Sequence, residues 1–180
     1  ITLDICGNLY IADGHNNRIR KVSFHPSCTV LPLVTLSGAT HFCVGATSFL
    51  FTSEPGGIWS SSSPGIATVG ASSGIVSGVS SGSAIISYAG AVTSTISITV
   101  NPLPIVAPIS GDNQVCLDSD LFLSNATGGG VWSSSSTTIA AIDSSGVVTA
   151  LMLGIDTIRY TFTNADFGCS SYSELLITVI

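Results

Sequence analysis

GGIWSSSSPGIATVGASSGIVSGVSSGSAIISYAG, residues 56–90, returns as GGGVWSSSSTTIAAIDSSGVVTALMLGIDTIRYTF, residues 128–162. Both stretches open on Gly-Gly-x-Trp-Ser-Ser-Ser-Ser. Both pass through an Ile-Ala step and a Ser-Ser-Gly turn, and both close on a strand carrying a tyrosine. A cysteine precedes each tryptophan by 16 residues, Cys43 before Trp59 and Cys116 before Trp132. Anchors held at a long period mark a duplicated domain. Each copy spans about 70–75 residues, which is small for a self-sufficient core, so a disulfide or a neighbouring unit is expected to assist.

Around these anchors the chain is a series of short Val, Ile, Thr, Ser and Phe runs punctuated by Gly and Ser. Such runs at regular spacing predict an all-β sandwich. Strands are expected near 33–37, 48–52, 57–61, 66–69, 74–78, 83–89 and 95–101 in the first copy. In the second they are expected near 105–109, 121–124, 130–134, 139–143, 146–150, 155–162 and 172–180. No stretch carries helical periodicity. Asn101-Pro102-Leu103-Pro104 reads as a stiff linker, because proline removes a backbone donor and fixes φ. The expected organisation is a β segment with connector over 1–29, one sandwich over 30–103 and a second over 104–180. Trp59 and Trp132 are expected as equivalent core plugs between the sheets.

Charged residues make up 8% of the 180-residue chain, against about 25% in a typical soluble domain. The surface must therefore be built from Ser, Thr, Gly and Ala. Charges are a main protection of sheet edges against pairing with other chains, and this chain has few. They are also segregated. Arg18, Arg20 and Lys21 outweigh Asp4 and Asp13 to give residues 1–30 a net +1, while the remainder carries −7. The three cations either solvate one exposed strand or meet an acidic body in head-to-tail association. A net charge of −6 gives no basis for nucleic-acid binding. No apolar run approaches the length of a membrane helix. The chain begins at Ile1 with no leader and no initiating Met, which reads as a processed chain or a fragment. Five cysteines among many Ser and Thr fit an oxidising, extracellular setting.

Two segments resemble known families. Gly7–Val22, GNLYIADGHNNRIRKV, resembles an NHL repeat, the blade unit of a β-propeller. Propellers need four to eight blades, so one blade must find a partner surface. The Trp-Ser-Ser, Ile-Ala, Gly-x-Val and Gly-x-Ala-x-Ile pattern of residues 59–88, with its second copy at 132–160, resembles bacterial Ig-like domains of group 2. That resemblance implies seven-stranded sandwiches with roles in adhesion or surface architecture. The second copy departs from the pattern at Met152–Ile155.

Chemistry is sparsely marked. Gly70–Gly74 and Gly78–Gly82 fit Gly-x-Ser-x-Gly around Ser72 and Ser80. That motif needs a strand, a sharp elbow and a helix, and here both are turns in a Ser/Gly-rich stretch. His15, His25 and His41 lie among Cys6, Cys28 and Cys43, but the cysteines stand 22 and 15 residues apart, far from the close pairs of zinc sites. Asp112, Asp118 and Asp120 lack the ligand spacing of a calcium loop. No catalytic residue, cofactor or metal is expected. Asn125-Ala126-Thr127 is a glycosylation sequon.

The cysteines carry more. The second copy holds an insertion between its last two strands, TNADFGCSSYS, which contains Cys169. The first copy has AGAVTS there. A Cys116–Cys169 bridge is expected, closing a loop of about 50 residues worth about 4 kcal/mol by the loop-entropy argument. Cys43 is then left with Cys6 and Cys28, and one thiol stays free or bonds another chain. The segment at the start cannot bury all of Ile1, Leu3, Ile5, Leu9, Ile11, Ile19 and Val22 within one hairpin. With the cations Arg18, Arg20 and Lys21 these residues form the expected assembly interface. The reading is a non-enzymatic extracellular or cell-surface structural protein that self-associates into a homopolymer. The alternative is an adhesin that binds a glycan or other surface ligand, or the stalk of a larger cell-surface protein.

Overall fold

A computed structural model describes residues 1–3, 8–13, 18–22 and 33–180. Ile5, Cys6, His15, His25 and Cys28 lie outside the described residues. Strands β1 (Thr2–Leu3), β2 (Leu9–Asp13) and β3 (Arg18–Val22) form one small antiparallel sheet in that order. The expected two-stranded hairpin thus gains a third strand, β1, through the pairs Thr2↔Tyr10 and Leu3↔Leu9.

The first repeat contributes β4 (Leu36–Gly38), β5 (His41–Cys43), β6 (Thr47–Thr52), β7 (Ile58–Ser61), β8 (Ala67–Val69), β9 (Ile75–Gly78), β10 (Gly82–Ala89) and β11 (Thr93–Asn101). They make two facing four-stranded sheets, β5-β11-β10-β7 and β4-β6-β9-β8. The second repeat contributes β12 (Ile109–Ser110), β13 (Gln114–Val115), β14 (Asp120–Phe122), β15 (Ser124–Asn125), β16 (Val131–Ser134), β17 (Ala140–Ile142), β18 (Val147–Ala150), β19 (Gly154–Thr163) and β20 (Ser170–Val179). Its sheets are β13-β20-β19-β16, β14-β18-β17 and the short pair β12-β15. The molecule is therefore all-β, with two tandem Ig-like sandwiches and a small sheet at its start.

Side-chain alternation explains the burial. Along β10, Ala84, Ile86 and Tyr88 point inward and Ser83, Ile85 and Ser87 face out or stand at the margin. β19 repeats this with Asp156, Ile158 and Tyr160 inward. Period-two alternation of this kind is what one packed face and one wet face require. Two separate cores result, one around Leu50, Trp59, Ile86 and Ile98, the other around Leu123, Val148, Ile158 and Ile177.

The repeated motif is explained by one cluster in each sandwich. Trp59 and Tyr88 are cross-strand partners with ring centroids 4.8 Å apart. Trp132 and Tyr160 repeat the pair at 4.7 Å. Tyr88 Oη donates to the Glu54 carbonyl and accepts from the Gly57 amide, each at 2.6 Å. Tyr160 Oη likewise donates to the Thr127 carbonyl and accepts from Gly130 N at 2.8 Å. The ring lies so close over the glycine that a Cβ on Gly57 would sit 2.5 Å from Tyr88 Cζ. The second glycine of Gly-Gly-x-Trp is thus demanded by the tyrosine thirty residues on. The two sites differ in cover. Trp59 is buried and its amide donates to the carbonyl of Ala71, the extra residue of the longer first turn. Trp132 is half-buried against its core.

Among the described residues Asp118 is the non-glycine residue with a positive φ. Asp118 has φ +60°, where the first repeat has Gly45 at φ +82°. A left-handed backbone costs residues with a Cβ more than glycine. Asp118→Gly is expected to raise stability by about 0.5–1 kcal/mol, seen as a higher denaturant midpoint. An unchanged or lower midpoint would contradict this account of the loop.

Candidate functional site

The end of the first sandwich is built by a strand switch. After β4 pairs with β6, the chain crosses to the other sheet, where β5 runs parallel to the last residues of β11. Cys43 lies opposite Asn101, and Val44 N donates to Asn101 O at 3.0 Å. Cys43 therefore sits where the first sandwich hands over to the linker.

The insertion of the second repeat supplies the other half. It extends the β19–β20 hairpin by the pairs Phe162↔Ser171 and Thr163↔Ser170, beyond the last pair Ala89↔Thr93 of the first repeat and its equivalent Thr161↔Tyr172. The tip is shaped by Asn164, whose Oδ1 accepts from Asp166 N at 2.8 Å and Phe167 N at 3.3 Å, and by Gly168 at φ +70°. This presents Cys169, fully buried, to the first sandwich. Cys43 and Cys169 are bonded, with Cα atoms 5.7 Å apart across 126 residues. Cys116 is exposed and free. The expected Cys116–Cys169 bridge is therefore wrong. Cys116 follows β13 at the far end of β20, next to Ile180, whereas Cys169 opens β20. Ten residues of extended strand separate the two ends, too far for a disulfide.

The chain just after the linker is fastened to the second sandwich. Asn125 Nδ2 donates to Ala107 O at 2.7 Å and to Ser173 Oγ at 3.1 Å, and Thr127 Oγ1 accepts from Ala107 N at 2.9 Å. The sequon Asn125-Ala126-Thr127 is thus a structural clamp whose amide hydrogens are both spoken for.

A second feature is a buried carboxylate. Asp156 takes the inward position held by Ala84 in the first sandwich. It accepts from Ser134 Oγ (2.7 Å), Ser135 Oγ (2.6 Å), Ser136 N (2.9 Å) and Thr157 N (2.7 Å). Four donors satisfy a charge that burial would otherwise penalise. Sequence reasoning missed it, although Asp156 stands in phase with Ile158 and Tyr160. Outside this serine turn lies an open concavity of about 390 Å³ lined by Ser133, Ser134, Ser135, Thr157, Arg159 and Glu174. Arg159 is paired across the strands with Glu174, Nη2 to Oε1 at 2.6 Å, and lies 4.2 Å from the Tyr172 ring centroid.

The sheet at the start of the chain places most of its apolar side chains in solvent. Ile1 is 91% exposed and Ile19 74%, Leu3 and Val22 are exposed, and Leu9 and Ile11 are half-buried. None of them belongs to either sandwich core. Arg18, Arg20 and Lys21 are exposed on β3, with Lys21 Nζ 5.8 Å from the Tyr10 ring centroid.

The two Gly-x-Ser-x-Gly matches are turns that lead onward into strands. Ser72 precedes β9, and Ser80 Oγ donates to the Gly65 carbonyl at 2.6 Å. His41 Nδ1 lies 3.0 Å from Thr40 Oγ1. Among the described residues no three His, Cys, Asp or Glu side chains cluster as metal ligands, and no helix is long and apolar enough to cross a membrane.

No protein-family model matches the chain, and no curated protein matches it. Among solved structures the chain is similar to invasin, a bacterial integrin-binding protein, at 16% identity and a TM-score of 0.50, over 90% of this chain and 42% of that one. It is similar to the C-terminal 282-residue fragment of intimin in complex with the intimin-binding domain of its translocated receptor, at 15% identity and a TM-score of 0.39, covering 82% of this chain and 64% of that one. It is also similar to domains 4 and 5 of the S-layer protein SbsC, at 17% identity and a TM-score of 0.37, covering 83% of this chain and 98% of that one. The invasin likeness shows the fold, and the chain spans less than half of the invasin chain it matches.

Proposed function

We propose that this chain is a non-enzymatic structural segment of an extracellular, cell-surface filament. In that filament, successive sandwiches are locked end to end and subunits join through the sheet of residues 1–22. The observation that carries the reading is the Cys43–Cys169 bond. It runs from one sandwich to the next rather than within either, so its work is to hold the junction under load. An oxidising exterior suits such a bond. The sparse charge and the NHL-like segment fit the same reading. Outer strands β1 and β3 present Leu3, Ile19 and Val22 to solvent beside the exposed Ile1, and exposed edges recruit strands from other chains. The basic Arg18, Arg20 and Lys21 complement the acidic remainder, and a head that docks on the next body gives an open polymer unless the rotation closes a ring.

Deleting residues 1–24 is expected to abolish polymer formation, read by electron microscopy, while circular dichroism shows both sandwiches still folded. A truncated chain that polymerises as before removes the mechanism. The second reading is a glycan-binding adhesin. The bay lined by serine hydroxyls, Arg159 and Glu174 offers the mixed donors and acceptors a sugar uses. Glycan binding by a non-polymerising chain, lost in Arg159→Ala, would favour it.

A further inference from the structure

The two sandwiches end in the same way. Val44 N donates to Asn101 O at 3.0 Å, and Leu117 N donates to Ile180 O at 2.9 Å. Ala46 N donates to Cys43 O at 3.0 Å, and Ser119 N donates to Cys116 O at 3.1 Å. Thr99 N donates to Thr40 O at 2.7 Å, and Thr178 N donates to Asn113 O at 2.9 Å. Cys116 is therefore the register equivalent of Cys43, and Ile180 of Asn101. Their surroundings differ in one respect. Cys43 is partly covered and bonded to the second sandwich, Val44 packs on the first core and Asn101 is buried, whereas Cys116, Leu117 and Ile180 are exposed. The same end of the second sandwich is also the more apolar. Leu151, Met152 and Leu153 are exposed there, and the matching turn of the first sandwich is Val79-Ser80-Ser81. The match is fixed by paired bonds: Val79 N and Ser80 N donate to Ile66 O, and Leu151 N and Met152 N donate to Ile139 O.

We infer that the Cys116 end of the second sandwich is a covalent docking site for a further Ig-like sandwich of the second repeat's type, one whose extended last hairpin carries a cysteine at the position of Cys169. The inference rests on two independent observations. The same residue position in the first sandwich is already bonded to such a hairpin, and the free thiol shares its end of the second sandwich with uncovered apolar side chains. A second copy of this chain does not qualify as the occupant, because its own Cys169 is held by Cys43. The bond forms when the two thiols lose two protons and two electrons to an external disulfide such as oxidised glutathione, which is released as two thiols. Nothing in the inference uses the docking of residues 1–22, so the two stand or fall separately.

The test extends the full chain after Ile180 with Pro-Leu-Pro and a second copy of residues 105–180 that carries Cys116→Ser within the copy, refolded in a glutathione redox buffer. Non-reducing peptide mapping is scored on material in which the Cys43–Cys169 link is recovered, which reports that the original junction has formed. The expected result is a linked peptide between Cys116 and the hairpin cysteine of the added sandwich, with Cys116 alkylation falling from stoichiometric to background. Cys116→Ser in the extended chain should return the added hairpin cysteine to full thiol reactivity. The inference is overturned if Cys116 and the added hairpin cysteine are both alkylated as free thiols. It is equally overturned if Cys116 is recovered joined to Cys116 of another chain.

Discussion

Replacing Trp59 by alanine is expected to cost about 3–5 kcal/mol, the range for emptying a buried large aromatic site. Trp59 is only 5% exposed, lies against Tyr88 at 4.8 Å and packs in the first core. β7 is held by its ladder to β10 and by the bond from Trp59 N to Ala71 O, so the site can collapse only partly. Trp132→Ala should cost less, near or below about 3 kcal/mol, because that ring is half-buried. Denaturant unfolding followed by far-ultraviolet circular dichroism reads both values. Equal costs, or the larger cost at Trp132, would contradict the difference in cover that the longer first turn provides.

Breaking the bond between the sandwiches, by Cys43→Ser, is the other large effect. With the first sandwich folded, Cys43 is held opposite Asn101, so the bond closes the stretch from Asn101 to Cys169. Closing roughly 70 residues of unfolded chain is worth about 4 kcal/mol by the loop-entropy argument. The second sandwich should lose about that much stability, and the two sandwiches should then unfold as separate transitions in calorimetry. Cys116→Ser, at an exposed site with no bond, should stay within about 0.5 kcal/mol of the parent chain. If Cys43→Ser leaves the midpoint of the second sandwich unchanged, the bond does not restrain its unfolded state. If Cys116→Ser is the more damaging change, the pairing itself is wrong.

The strands that read clearly are those long enough to show alternation. β10 and β19, expected at 83–89 and 155–162, run Gly82–Ala89 and Gly154–Thr163, because Ile86, Tyr88, Ile158 and Tyr160 repeat at period two. β5 and β13, at three and two residues, escaped notice. A segment that short has no period, and its pairing with the end of the last strand is a contact across nearly the whole domain. The motif glycines Gly57 and Gly130 were visible as letters, but the tyrosine ring that forbids a side chain there belongs to a neighbouring strand.

Local pattern was therefore enough for the duplication, the all-β class and the approximate strand positions, since each depends on a few consecutive residues and their periodicity. Cysteine pairing was not local. Cys116 and Cys169 belong to one repeat and looked like natural partners, yet β20 holds them at its opposite ends. Cys43 and Cys169 stand 126 residues apart and meet because β5 returns to the linker end of the first sandwich while the extended hairpin of the second reaches back to it. The burial of Asp156 has the same origin. Its carboxylate is tolerated only because the serine turn before β17 folds over it, and that proximity is made by the packing of β16 on β19.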